Sequence, residues 1–100
     1  MRGEVWTYEP VLPRPGQSTL RLIISDDAYN GVAGSSIVVA LHIVDEDPGG
    51  LLSVRIGDFG WAVATKVYET IRRRLGERVG RATAEEIEAV DIALRALLGL

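Results

Sequence analysis

Ile37-Val38-Val39-Ala40-Leu41-His42-Ile43-Val44 is the stretch that decides the fold. All but His42 are apolar, and most are β-branched, stiff at χ1 and suited to a pleated surface. A run apolar at both parities reads as a central strand with both faces at least partly covered. Asp45-Glu46-Asp47-Pro48-Gly49-Gly50 follows as a turn, and residues 51–56 (LLSVRI) return antiparallel to it. On the other side, residues 20–25 (LRLIIS) read as a strand and residues 26–34 as a turn, with Asn30-Gly31 its strongest signal.

Further out, residues 3–9 (GEVWTYE) carry Val5, Trp6 and Tyr8 and read as a first strand. Between the first two strands stand Pro10, Pro13, Pro15 and Gly16. These prolines forbid both a helix and a central strand. The expectation is an ordered or gated loop of about ten residues, longer than a hairpin needs and of the kind that often carries function. Residues 61–68 (WAVATKVY) read as a strand or extended buried segment, residues 70–75 as a short helical turn and residues 76–81 as a short last strand. The C-terminal element is a helix. Thr83-Ala84-Glu85-Glu86 is a capping box, in which Thr83 accepts from an amide three residues on and Glu86 reaches back. Ile87, Val90, Leu94, Leu97 and Leu98 form an apolar stripe, and Gly99 stops the helix. Glu85, Glu86 and Glu88 sit at the positive end of its dipole and Arg95 near the negative end. The expected class is α+β, mainly β: antiparallel strands with one amphipathic helix packed on them.

One hundred residues make one domain, expected to span 1–100, with room for one core. The absence of cysteine excludes a disulfide framework, a thiolate metal site and a cysteine nucleophile, and a single histidine excludes a multi-histidine metal cluster. No apolar run approaches a bilayer span and no signal-type segment follows Met1, so the expected location is the cytoplasm, without a membrane partner. The net charge is −3, but it is segregated. Residues 61–81 hold six basic groups against two acidic, net +4, whereas residues 45–60 and 82–100 are each net −3. A local basic patch on an acidic chain can still face phosphates. Ten of the eleven cations are arginine, which suits bidentate contacts to phosphate or carboxylate.

Four places carry a resemblance to a known family. They are Arg2-Gly3-Glu4-Val5-Trp6, residues 22–30 (LIISDDAYN), Val38-Val39-Ala40-Leu41, and the tail. The tail comprises Arg73-Arg74-Leu75-Gly76, Val79-Gly80, residues 89–95 (AVDIALR) and Leu98-Gly99-Leu100. In this order they resemble the MazF/PemK toxins, small endoribonucleases of type II toxin–antitoxin systems. The resemblance implies a small SH3-like antiparallel barrel with a C-terminal helix, a homodimer, and an antitoxin whose disordered segment occupies the RNA groove. It also implies cleavage of single-stranded RNA by attack of the 2′-hydroxyl, with no metal and no cofactor. The family opens its second strand with Arg-Pro, a pair that aligns here with Thr19-Leu20, and ends its third with Thr or Ser, which aligns with His42.

Those departures direct attention to substitutes. His42 is the candidate catalytic imidazole, as general base or acid; a strand-end histidine bonded to a loop is the competing reading. Arg21 lies two places beyond the family's arginine, an offset that keeps the same side of a strand. It is the candidate for stabilising the pentacovalent phosphorane, with Arg14 in the proline-rich loop as helper; the competing readings are, for Arg21, a solvent-facing arginine or a partner for Asp26 or Asp27 and, for Arg14, a solvated side chain. Thr19, Arg72 and Arg73 are the candidate substrate contacts, the two arginines lining a groove for the RNA backbone or else occupying a solvated turn. Asp45-Glu46-Asp47 would repel phosphate if it faced the same groove, can equally orient the imidazole and raise its pKa, or can simply be a solvated turn. Trp6 and Trp61 can stack on bases, with packing the competing role. Two other functions remain open: a catalytically degenerate relative that binds a peptide or RNA without cutting it, and a gyrase poison. The fold-sharing gyrase-poison family ends in Trp-Gly-Ile, and this chain ends Leu98-Gly99-Leu100.

Overall fold

The computed structural model describes residues 1–12, 14–32 and 36–100. Pro13 of the expected loop, and residues 33 and 34 at the end of the expected turn, lie outside the described residues. In chain order the elements are β1 (Glu4–Tyr8), β2 (Leu20–Ile23), a short helix α1 (Asp27–Asn30), β3 (Ile37–Val44), β4 (Ser53–Ile56), β5 (Gly60–Ile71), β6 (Leu75–Arg81) and α2 (Ala84–Leu98). A single 3-10 turn, Arg72–Arg74, joins β5 to β6.

The strands form one antiparallel sheet in the order β4-β5-β3-β2-β1-β6. β3 has the bounds expected of it and lies near the middle, which is why its sequence is apolar on both faces. Val5, Leu22, Leu41, Ile43 and Ile56 pack with Val90 of α2 on one face. Ile23, Val38 and Ala40 form a smaller cluster with Met1, Trp6 and Leu75 on the other. The sheet curls until its two ends meet. Gly80 of β6 lies so close to Phe59, between β4 and β5, that a Cβ there would fall 2.3 Å from the ring. The mainly-β architecture with a C-terminal helix is therefore as expected.

Some boundaries differ, each for a local reason. Part of the expected turn is α1, started by Asp26, whose carboxylate accepts from the Ala28 amide at 2.9 Å. Asn30 is buried there, its side-chain amide donating to the Ser25 carbonyl at 2.8 Å. β5 runs on to Ile71 because Thr70 pairs with Val38 and Ile71 with Ile37. It begins at Gly60, where φ is +130° and a Cβ would stand 2.2 Å from the Val44 carbonyl oxygen, so only glycine fits.

The helix has the predicted capping box: Thr83 Oγ1 accepts from the Glu86 amide at 3.1 Å and Glu86 accepts from the Thr83 amide at 2.7 Å. Gly99 closes it in the left-handed conformation at φ 73°. The predicted apolar stripe needs one correction. Ile87, Val90 and Leu94 join the core, and Ala93 is buried beside them, but Leu97 and Leu98 are exposed. The core ends at Leu94, and the last turn runs past it.

Candidate active site on the face opposite the helix

Side chains alternate along a strand, so the register decides what can meet. Trp6 of β1 pairs with Arg21 of β2, and Arg21 pairs with His42 of β3. These three share one row on the face away from α2. Tyr8, two residues beyond Trp6, and Tyr68, which pairs with Ala40, lie on the same face. The result is a cavity of about 260 Å³ lined by Arg21 and His42 with Tyr8, Gln17, Tyr68, Glu69 and Thr70.

Arg21 is buried, at 3 % exposure. Its Nη1 donates to the carbonyls of Ser18 at 3.1 Å and Leu20 at 2.9 Å, and to the Ser18 hydroxyl at 3.2 Å. The Ser18 hydroxyl donates in turn to the Ile43 carbonyl at 2.5 Å, tying the end of the loop to β3. The guanidinium carbon stands 4.2 Å from the centre of the Tyr8 ring, a cation–π contact. Burial lowers the Arg21 pKa, while Tyr8 and Tyr68 act against that. An arginine starting this high stays charged near neutrality.

The His42 ring stacks on Tyr68 with centroids 4.6 Å apart and planes inclined by 29°. Desolvation, with the positive charges of Arg21 and Lys66, pushes its pKa from 6.5 down to about 4. The imidazole is neutral at pH 7, able to accept a proton rather than donate one as an acid.

The other sequence candidates fall elsewhere. Arg14 is exposed in the loop, where its amide donates to Gln17 Oε1 at 3.1 Å; Gln17 reaches the His42 cavity. Thr19 is exposed and lines a separate cavity of about 180 Å³ with Asp45, Phe59 and, again, Gln17. Arg72 and Arg73 line a third, of about 570 Å³, with Ser36, Ile37 and Ile71 at the opposite end of β3 from His42. Arg72 also donates to the Asn30 carbonyl, which holds the joint between β5 and β6 against α1. Trp6 is half-buried and donates to Glu4 at 3.0 Å. Burial raises the Glu4 pKa, but the bonds from Trp6 and Arg78 and the N-terminal charge outweigh it and hold the group lowered. Trp61 carries the Arg55 guanidinium 4.3 Å above its ring. Asp45-Glu46-Asp47 is an exposed turn.

Sequence reasoning did not single out Tyr8 and Tyr68 for the site. The period-two spacing of Trp6 and Tyr8 puts those two on one face, but which strand they face depends on pairing over a distance.

Comparison with known proteins follows the same lines. A family model described as PemK-like, MazF-like toxin of type II toxin–antitoxin system matches residues 1–98. Among solved structures, an endoribonuclease from a mycobacterial species superposes with a TM-score of 0.81 at 24 % identity, covering 100 % of this chain and 91 % of that one. An endoribonuclease in complex with its cognate antitoxin, also mycobacterial, gives 0.84 at 23 % identity, covering 100 % and 95 %. A MazE–MazF complex from Deinococcus radiodurans gives 0.73 at 25 % identity, covering 99 % and 94 %. A sequence comparison with curated proteins finds no match.

Proposed function

The chain belongs to the PemK-like, MazF-like family of toxins of type II toxin–antitoxin systems, and from that premise we propose that it is an endoribonuclease cutting single-stranded RNA with His42 and Arg21. The observation that carries this reading is the cross-strand pair itself: the His42 imidazole and the Arg21 guanidinium on adjacent strands, lining one cavity. His42 takes the proton of a ribose 2′-hydroxyl. The 2′-oxygen bonds to the adjacent phosphorus, the bond from phosphorus to the 5′-oxygen breaks, and the leaving oxygen is protonated by solvent. The imidazolium then returns its proton to solvent. A 2′,3′-cyclic phosphate and a 5′-hydroxyl result, and no metal is needed. Arg21, fixed through Nη1 and stacked on Tyr8, stabilises the extra negative charge of the phosphorane. Arg14 assists from the loop, and Thr19, Arg72 and Arg73 contact the strand on either side.

The solved relatives bound to antitoxins support a protein antitoxin as partner, with the groove around His42 as the place it blocks. The working unit is a homodimer acting in the cytoplasm; among the described residues no helix is long and apolar enough to cross a membrane. The test is incubation of the purified protein with a long unstructured RNA in a chelator. Cleavage by wild type that disappears in His42→Ala supports the assignment. Intact RNA at high protein concentration, or undiminished cleavage by His42→Ala, overturns it, and tight binding without scission identifies a degenerate relative.

A further inference from the structure

His42 occupies an irregular place in the sheet. On β5, Val67 pairs with Leu41 and Ala62 pairs with Ile43, so residues 63–66 stand against His42 alone. No ladder partner on β5 fixes the imidazole from that side. Tyr68, anchored opposite Ala40, instead fills the place diagonally, its ring 4.6 Å from the imidazole. Diagonal neighbours of this kind lie within reach of aromatic side chains. Ala40, opposite Tyr68 and two residues before His42 on the same face, carries only a methyl group, which leaves the rings room to meet. Tyr68 is also 52 % exposed, and it belongs to neither core cluster. Its contact with His42 is therefore separable from what holds the fold together.

We infer that Tyr68 is a positioning residue, its ring holding the His42 imidazole at the angle from which it takes the ribose proton. The inference rests on the endoribonuclease reading of the same cavity. Tyr68 touches the reaction through His42: its ring stacks on the imidazole, and both side chains line the cavity. The charged and titratable groups around the imidazole are Arg21 from β2, Tyr8 from β1, and Lys66, Tyr68 and Glu69 from β5. Removing the Tyr68 ring opens the imidazole to water and leaves the charges of Arg21 and Lys66 in place.

The chain has one histidine, so the imidazole Hε1 proton resonance reports on it alone. The experiment follows that resonance against pH in wild type, Tyr68→Phe, Tyr68→Leu and Tyr68→Ala. It also measures single-turnover cleavage of a long unstructured RNA, which separates the rate at saturating protein from the half-saturating concentration. Tyr68→Phe keeps the stack and is expected to retain both the titration midpoint and the rate. Tyr68→Ala and Tyr68→Leu are expected to raise the midpoint by about one unit. They are also expected to slow the saturated rate about tenfold or more while half-saturation barely moves. An unmoved midpoint in both variants overturns the inference. So does a loss confined to half-saturation, which would make Tyr68 a substrate contact. If wild type cuts no RNA, the endoribonuclease reading fails by itself and the midpoints alone decide whether Tyr68 positions the ring.

Discussion

Arg21, the proposed stabiliser of the phosphorane, is also part of the framework. Three acceptors hold its Nη1 and an aromatic ring supports its plane, so its orientation is set before substrate arrives. Lysine keeps the charge but not the planar fork. Arg21→Lys is expected to lower the cleavage rate by about 100-fold, measured well below the variant's melting temperature because the Ser18 and Leu20 carbonyls also lose a donor. A second prediction concerns His42. Unfolded, its ring takes up a proton near pH 6.5; folded, it stays neutral down to about pH 4. Between those values the unfolded chain binds more protons, so the stability due to the neutral ring is complete above pH 6.5 and drains away toward pH 4. The melting temperature of wild type should fall more steeply over that window than that of His42→Asn. Asp27, lowered to about 2 by the Arg2 amide and the N-terminal amine, is common to both proteins and cancels in the comparison. His42 was legible in the sequence because a polar residue in an apolar strand invites a reason. Tyr68 was not, because a tyrosine in a β-rich run is ordinary until its neighbour across the sheet is known.

Elements whose signals are local could be read from the chain; those set by distant pairing could not. The capping box of α2 is contained in four consecutive residues, and the structure reproduces both of its hydrogen bonds. Glu86 also accepts from the Gly57 amide at 2.7 Å, a tertiary contact that no local pattern announces. Thr83→Ala should therefore cost about 1 kcal/mol in urea unfolding. The apolar stripe, by contrast, was right in period and wrong in extent, because how far a helix stays covered depends on where the core beneath it ends. Leu98, 65 % exposed, should tolerate alanine within about 0.5 kcal/mol, whereas Val90→Ala, at 1 % exposure in the main core, should cost clearly more. Equal losses for the two would mean that the last turn is covered in solution. The irregularity in β5 opposite His42 had no sequence signature, since a shift in register belongs to a pair of strands.

Over the whole molecule, the curl of the sheet decides what the segregated charge can do. The basic segment, residues 61–81, supplies β5 on one side of the β3-β2-β1 row and β6 on the other, so the candidate site lies between its two strands. The grouping of charge along the chain was legible; its division around the site was not, because strand order is a property of the folded sheet. Some of these cations are already committed: Arg78 and Arg81 lie 3.1 Å and 3.7 Å from the Glu4 carboxylate, and Arg72 donates to the Asn30 carbonyl. Arg73 is exposed, and among the described residues it has no ion-pair partner within bridging distance. A phosphate contact made by such a residue releases a counterion, so binding to single-stranded RNA should weaken with salt by a logarithmic slope of about −0.7 per contact. Arg73→Gln is expected to weaken binding alike across RNA sequences and to make that slope shallower by about 0.7, with the cleavage rate at saturating protein unchanged. The measurement is affinity for an RNA bearing 2′-deoxyribose at every position that is cut, titrated from low to physiological salt. An unaltered slope would show that the cavity beside Arg73, at the far end of β3 from His42, lies off the path of the RNA. The strand would then reach the imidazole from the β1 and β6 side instead.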